Sequence, residues 1–454
     1  MTRSDRARIS RRRLMSMMAA CGTGLAMAGA RAQAAPAAEP PARKPGQKSV
    51  FGLKHPPMSR VRVGMIGVGA RGSSLLGNLL DIAEVEVRAI CDIIPERVDA
   101  ARKRVTDKGR PDPVGFSRNE TDFENLCQRD DVDIVYVATP WEWHAPMALG
   151  AMNNGKHAAV EVPAAVTLDE CWQLVDTAEQ TQRHCIMLEN CCYGEIEMLV
   201  LGMARQGALG ELIHGEAGYL HGLPEFLMSQ DSAAVWRRRF LTRLNGNLYP
   251  THGLGPVAQY MGIHAGDRFD RLVSMSSPER TLSMLRDRLP ADDPRRREKY
   301  VCGDMNTTLI STTRGRTIML QFDITTPRPY SRINMICGTE GTFCDYPPRL
   351  YLKGKGDAWE TDMTPYHQRY GHPLWKELKE KALKSGGHGG MDYLMNWRLV
   401  QCLIKGEKLD MTVYDAAAWS SVFALSVASV AQGAAPIPFP DFTRGDWKTQ
   451  SPLA

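Results

Sequence analysis

At 454 residues the chain is longer than one ordinary core organises, so two domains are expected. With 43% apolar and 24% charged residues it has the composition of a globular protein, which sets aside disordered, collagen-like and disulfide-scaffold classes. The formal charge is +5, but seven arginines and one aspartate fall within residues 1–34; without them the chain stands at −1, and no nucleic-acid partner is expected.

The first residues read as a targeting segment rather than as fold. Ser10-Arg11-Arg12-Arg13-Leu14 is a twin-arginine pattern. A mildly apolar stretch, Met15 to Ala30, and a small-x-small site at Ala32-Gln33-Ala34 follow it. Residues 1–34 are therefore expected to direct export through the twin-arginine machinery, to the periplasm or outside the cell. Residues 35–59, rich in Pro, Ala and Lys, are expected to be a linker. Beyond them no apolar run is expected to cross a bilayer. The eleven cysteines show neither paired nor zinc-ligand spacing. Free buried thiols, no metal, and folding in the cytoplasm before export are expected, which lets a cofactor travel inside the folded protein.

A nucleotide-binding domain is expected over residues 60–190. The apolar strand Val61–Ile66 runs into Gly67-Val68-Gly69-Ala70-Arg71-Gly72, and a helical stretch, Ser73 to Leu80, follows. In that context Gly67 permits the tight turn, Gly69 admits a pyrophosphate to the backbone, and Gly72 lets helix and strand pack closely. A second strand, Val85 to Cys91, ends at Asp92, whose carboxylate is placed for the adenosine ribose and repels a 2′-phosphate, so NAD is the expected cofactor. Further strands are expected at 132–139, 157–161 and 185–188, alternating with helices, one opened by the capping box Thr167-x-x-Glu170. This is a doubly wound parallel sheet. Trp141-Glu142-Trp143-His144, Glu161-Val162 and Asn190 follow strand ends and so lie on the cofactor rim.

From about residue 191 to 440 the pattern becomes α+β, with short alternating strands such as 215–219, 306–312 and 317–322, and helices at 391–403 and 414–431. An open, mostly antiparallel sheet beside the Rossmann domain is expected, with residues 441–454 as a tail. Of the arginines at 237, 238 and 239, at least two are expected at the surface.

The segments Ala138–His144, Val160–Ala165, Leu188–Tyr193, Gly246–Pro256 and Gly387–Asp392 make the chain resemble the Gfo/Idh/MocA group, and within it glycoside hydrolase family 109, the NAD-dependent α-N-acetylgalactosaminidases. The resemblance runs over nearly the whole chain past the leader. It implies that Ala70, Arg71, Asp92, Trp141, Glu142, Trp143, His144, Glu161, Val162 and Asn190 lie at NAD. It implies that Tyr219, Arg237, Tyr249, Pro250, Thr251, His252 and Tyr330 lie at the sugar, with Tyr249 and His252 moving protons. The wider group carries a lysine between the Glu and the Pro of Glu161-Val162-Pro163, and Val162 cannot move a proton.

The reaction so implied is redox-neutral. Hydride leaves C3 of the sugar, the C2 proton becomes acidic, the glycosidic group is eliminated, water adds, and the hydride returns. The implied partners are a carbohydrate and, through the second-domain sheet, a further copy of the chain. An exported sugar oxidoreductase and a non-catalytic sugar-binding protein that retains NAD are the competing readings. His388, in a glycine-rich run, is open to a site-lining or a structural role.

Overall fold

The computed structural model describes residues 39–452; the expected signal segment lies outside them. The first sheet has six parallel strands in the order β3-β2-β1-β4-β5-β6: β1 (Val61–Ile66), β2 (Val85–Cys91), β3 (Val114–Phe116), β4 (Ile134–Val137), β5 (His157–Val160) and β6 (Cys185–Met187). Helices cross over between them, including α1 (Ala70–Leu80), α2 (Pro95–Asp107), α3 (His144–Asn153) and α4 (Leu168–Thr181). β1, β4, β5 and β6 are apolar and almost wholly buried because helices cover both faces. On α1, Leu75, Leu76 and Leu79 are fully buried. Each contributes roughly 1.5–3 kcal/mol of transfer free energy. α4 begins at the expected capping box, Glu170 N–H donating to Thr167 Oγ1 at 3.2 Å and Thr167 N–H to Glu170 Oε2 at 3.0 Å.

The chain order reverses between β1 and β4, so a crevice opens at their carboxyl ends, where ligands bind in such sheets. The second sheet has eight strands in the order β13-β12-β11-β7-β10-β9-β8-β14. Its members are β7 (Leu212–Leu220), β8 (Phe269–Ser276), β9 (Asn306–Thr312), β10 (Thr317–Asp323), β11 (Met335–Gly338), β12 (Gly341–Cys344), β13 (Arg349–Leu352) and β14 (Ile437–Pro438). β7 pairs with β10 in parallel, and the other pairings are antiparallel. The expected fold class, a Rossmann domain with an open, mostly antiparallel second sheet, is the observed one.

Helices α5 (Glu195–Arg205), α6 (Ser232–Leu241), α7 (Thr251–Tyr260), α8 (Met391–Lys405) and α9 (Val413–Ala431) join the two halves. α9 packs on α4 and β6 of the first half and on β8 of the second. It corrects one expectation: its 19 residues are long and apolar enough for a membrane span. Burial between the two sheets, not lipid, explains its composition, since 72% of that window is inside the protein.

The described part of the expected linker, residues 39–59, is a packed strap, and the expected tail also packs. Both converge on Glu179 of α4, which is fully buried. Arg43 reaches it at 3.0 Å, Arg444 at 2.6 Å and the Tyr414 hydroxyl at 2.6 Å. Val50 and Phe442 enter the core. Composition suggested solvated chain, but two arginines on one buried carboxylate and two apolar anchors hold both segments down.

Candidate active site

The glycine turn fits a dinucleotide by shape. Gly67 has φ +81°, and a Cβ there would lie 2.6 Å from the Ala138 carbonyl oxygen. A Cβ on Gly72 would lie 1.9 Å from the Gly67 carbonyl oxygen. Over Gly69 the space is open, the nearest atom to a Cβ being in the Arg97 guanidinium at 3.6 Å. Backbone N–H groups at the start of α1 are thus accessible to a diphosphate. Asp92 ends β2 with Oδ2 accepting from Val68 N–H at 2.9 Å and Oδ1 from Ile94 N–H at 3.0 Å. Each oxygen retains a lone pair for a ribose hydroxyl. Arg97, 4.0 Å from Asp92, also donates to Ser232 Oγ at 3.1 Å, so α6 reaches over this end of the crevice.

Arg71, one residue into α1, ties the turn to the second half of the chain. It donates to Glu161 Oε1 at 2.6 Å and to both oxygens of Asp392, at 2.5 and 3.1 Å. Asn190 Nδ2 donates to Asp392 Oδ1 at 2.7 Å, and His388 Nδ1 lies 2.9 Å from Oδ2. Burial alone would raise the Asp392 carboxyl; the His388 hydrogen bond and the Arg71 charge outweigh it and hold it well below the usual carboxylate range. His388 is thereby placed among site-bordering groups. Ala70 lies beside Arg71 at the start of α1 and is exposed at the rim.

The Trp141–His144 run divides by role. Trp141 faces the second half of the chain, within 5.0 Å of Trp236, 5.1 Å of Phe240 and 5.5 Å of Tyr249, ring centroid to centroid. Glu142 lies 3.9 Å from Arg239 of α6. Trp143 turns to Phe123, 6.4 Å away. His144, expected at the cofactor, is fully buried with both ring nitrogens on carbonyls, Pro163 O at 2.7 Å and Thr139 O at 2.8 Å. Its ring is committed to holding the loop, and burial lowers its pKa, so it serves the crevice only through the turn it fixes. Val162 is buried and apolar between these segments.

The residues expected at the sugar come together from the start of α7, the end of β7, α6 and the segment between β10 and β11. Pro250, buried, precedes α7, and Thr251 is fully buried at its first position. Glycines set how closely α7 docks: a Cβ on Gly253 would lie 2.4 Å from Gly218 N of β7, and one on Gly255 3.0 Å from Glu189 Cγ. The Tyr249 ring is 5.0 Å from His252 and 4.7 Å from Tyr219, and the Tyr219 ring is 5.6 Å from His252. Tyr330 lies 6.0 Å from Tyr219. Burial pushes the Tyr249 phenol well above its ordinary value and the Tyr219 phenol up to about 12, so both are neutral hydroxyls at physiological pH.

Arg237 lies over the Trp236 ring at 4.2 Å and is near enough for its charge to act on Tyr219 and Tyr249. The expectation for its neighbours is corrected. Only Arg239 is an exposed side chain, whereas Arg238 is buried, bonded to Glu298 at 2.7 Å and to the Leu227 carbonyl at 2.7 Å. One helical turn from buried Ala234, it points inward and needs an acidic partner there.

Four residues missed in the sequence belong to this site. Glu189, fully buried, receives His252 Nδ1 at 2.7 Å. Asp392 gathers Arg71, Asn190 and His388. His221 Nδ1 lies 3.2 Å from the Tyr219 hydroxyl. Arg332 bonds the Tyr330 hydroxyl at 3.1 Å and pairs with buried Glu197. Only Glu189, following a parallel strand, carried a sequence signal, the strand-end rule. Glu189, Cys191 and His252 also offer donor atoms within 4.8 Å of one another, a geometry a metal could use. With no ion present, burial pushes the Cys191 thiol well above its ordinary value and leaves it neutral.

Known proteins place this arrangement. Residues 61–189 match the oxidoreductase family NAD-binding Rossmann fold, and residues 193–449 match the glycosyl hydrolase 109 C-terminal domain. Among solved structures, levoglucosan dehydrogenase in complex with NADH superposes with a TM-score of 0.63 at 20% identity, over 84% of this chain and 99% of that one. An inositol dehydrogenase homologue from Azotobacter vinelandii, complexed with NADH and myo-inositol, gives 0.63 at 18% identity, over 84% and 98%. The fold and crevice thus define an NAD-binding protein of the Gfo/Idh/MocA architecture, with NAD as cofactor.

A glycosyl hydrolase family 109 protein of Shewanella pealeana is 52% identical over 89% of this chain and 90% of its own. One of Solibacter usitatus is 49% identical over 98% and 99%. The chain belongs to glycosyl hydrolase family 109, a glycoside hydrolase built on an oxidoreductase frame.

Proposed function

We propose that this chain releases terminal α-linked N-acetylgalactosamine by the redox-neutral route, with NAD held tightly throughout. One juxtaposition carries the reading. In the first sheet β5 lies between β4 and β6. Tyr249 stacks on Trp141, which follows β4, and His252 bonds Glu189, which follows β6. The two proton-transfer candidates therefore bracket the end of β5, where Val162 stands in the place of a proton-moving lysine.

Bound NAD supplies reversible hydride acceptance from C3. Gly67, Gly69 and Gly72 admit its diphosphate, and Asp92 accepts from its ribose. Arg71, pinned between Glu161 and Asp392, fixes the turn. Tyr219, Tyr330 and Trp141 supply aromatic surface for the sugar ring. Tyr249 and His252 stand at the two proton positions, the C3 hydroxyl and the C2 carbon; histidine accepts and returns a proton near neutrality, whereas Tyr249, a neutral phenol, acts there as a hydrogen-bond and proton donor. Val162 leaves no ammonium beside C3 to drain the proton, which favours return of the hydride over net oxidation.

The N-terminal Arg11-Arg12-Arg13 leader exports the folded, NAD-loaded protein through the twin-arginine pathway, so a cofactor scarce outside the cytoplasm is never exchanged. The chain assembles as a homo-oligomer through the outer face of the second sheet.

Protein purified without added cofactor is incubated with 4-nitrophenyl α-N-acetylgalactosaminide while nitrophenol and NADH absorbance are followed together. Many turnovers of nitrophenol without net NADH are expected. NADH accumulating without nitrophenol release would replace this reading with the sugar oxidoreductase, and sugar binding with neither would leave a binding protein.

A further inference from the structure

We propose that Glu189 is a positioning residue: it holds the His252 imidazole with Nδ1–H on its carboxylate and so leaves Nε2 as the basic nitrogen of the site. This rests on the proposed function only for what Nε2 acts upon; the tautomer follows from the geometry.

Glu189 lies two residues past the end of β6 and is fully buried. Its Oε1 takes two donors, His252 Nδ1 at 2.7 Å and Cys191 N–H at 3.1 Å. Its Oε2 is buried, the neighbouring Thr251 hydroxyl acts on the carboxylate, and among the described residues no lysine or arginine contacts it. Burial alone would raise the Glu189 carboxyl, but the His252 contact holds it below its ordinary value; an ionised carboxylate only accepts hydrogen bonds, so Nδ1 carries the proton and a neutral His252 presents its lone pair at Nε2. When one proton arrives at Nε2, the imidazolium formed is paired with Glu189 at contact distance in a site of low dielectric. The carboxylate itself stays ionised, the arrangement that orients a catalytic imidazole in hydrolase triads.

Packing shows that the contact is built. Gly255, one turn along α7 from His252, would with any Cβ meet Glu189 Cγ and Trp419 at 3.0 Å and Cys192 Sγ at 3.1 Å. The helix thus rides on the stem of the glutamate. Other ionisable groups around the imidazole are accounted for. Cys191 is a neutral thiol and Tyr219 and Tyr249 are neutral phenols. On α5, Glu197 is paired with Arg332, and on α9 Asp415 is held by His264 at 3.1 Å. Among the described residues, Glu189 is the one charge in contact with His252.

The test uses the full-length, NAD-loaded protein. Long-range ¹⁵N–¹H correlation spectra, with His252 assigned by its loss in His252→Gln, are recorded for wild type, Glu189→Gln and Glu189→Asp across pH. Expected are an Nδ1–H tautomer in wild type and a His252 titration about one pH unit lower in Glu189→Gln. Glu189→Asp should restore most of that shift. With the glycoside substrate, kcat in Glu189→Gln should fall at least about tenfold and the acid limb of the kcat profile should move with the titration, while KM and bound NAD stay within about twofold. An Nε2–H tautomer in wild type overturns the proposal whether or not any variant folds. So does a His252 titration unmoved by Glu189→Gln, and so does stoichiometric metal on Glu189, Cys191 and His252. The expected tautomer and shift, with no glycoside cleaved by wild type, would sink the proposed function and leave the positioning role standing.

Discussion

Trp141 and Tyr249 lie face to face, ring centroids 5.5 Å apart and planes 25° from parallel. One belongs to the nucleotide half, just past β4, and the other to the second half, just before α7. Their contact fixes where Tyr249 stands relative to the cofactor crevice, and Phe240, Trp236 and Phe423 close around it. Trp141 is 4% exposed, so its loss leaves a cavity as well as an unsupported ring. Trp141→Ala should cost about 3–5 kcal/mol of stability, as truncation of a buried tryptophan does. It should also lower kcat by more than about tenfold, since small misplacements at reacting groups are costly. Calorimetry and steady-state rates check both; full activity with only a lowered Tm would mean that the stack supports the fold and not the chemistry.

Arg71 offers a test with a pH signature. Its side chain is 26% exposed and that of Asp392 is fully buried. Removing the guanidinium in Arg71→Met strands a buried carboxylate, a loss of about 3–5 kcal/mol at neutral pH. The folded Asp392 carboxyl lies below its unfolded value of about 3.9. Its contribution is therefore complete above that pH and is lost as pH falls through the folded value. The stability gap between wild type and variant should be full near pH 7 and narrow below about pH 4. Urea titrations at several pH values measure it, and a gap that widens on acidification would contradict the pairing described.

The sequence made some of this plain and concealed the rest for a physical reason. The glycine turn and Asp92 were legible because strand, turn and helix lie within one local unit and only glycine tolerates those approaches. The resemblance singled out Tyr249 and His252, whose rings the structure places 5.0 Å apart at a helix start. Glu189 and Asp392 were not, because their partners lie 63 and 321 residues away in the chain. No periodicity records which buried acid a distant imidazole or guanidinium will meet. Composition misled at both ends of the described chain, where polar and proline-rich strings proved to be clamped on Glu179. It also misled at Arg238, where the charge run hid a buried ion pair.

Gly255 permits a subtler perturbation than removing a side chain. Alanine there would press on Glu189 Cγ and Trp419, each 3.0 Å from the new carbon, so helix or glutamate must give by a few tenths of an ångström. Gly255→Ala should cost about 1–3 kcal/mol, as overpacking does. It should lower kcat several-fold while NAD content is unchanged, because the glycine turn is remote from α7. If kcat were retained at reduced Tm, the docking of α7 would not set the geometry of the Glu189–His252 bond.

The outer face of the second sheet carries the assembly prediction. Register aligns Val273, Leu309, Met319, Glu216 and Met335 across five neighbouring strands, an apolar row with one charge in it. Met275 of β8 is 67% exposed and Leu309 of β9 50% exposed. Apolar side chains contiguous on an open sheet are the feature on which the proposed assembly rests. Leu309→Glu adds a charge at the centre of the row on each copy and should convert an oligomer to monomer in light scattering at micromolar concentration, with the monomer's unfolding free energy nearly unchanged because the residue is exposed. A wild type that is monomeric at the same concentration would remove the proposed assembly, and an oligomer that survives the double variant Leu309→Glu, Met275→Glu would place its interface on another face.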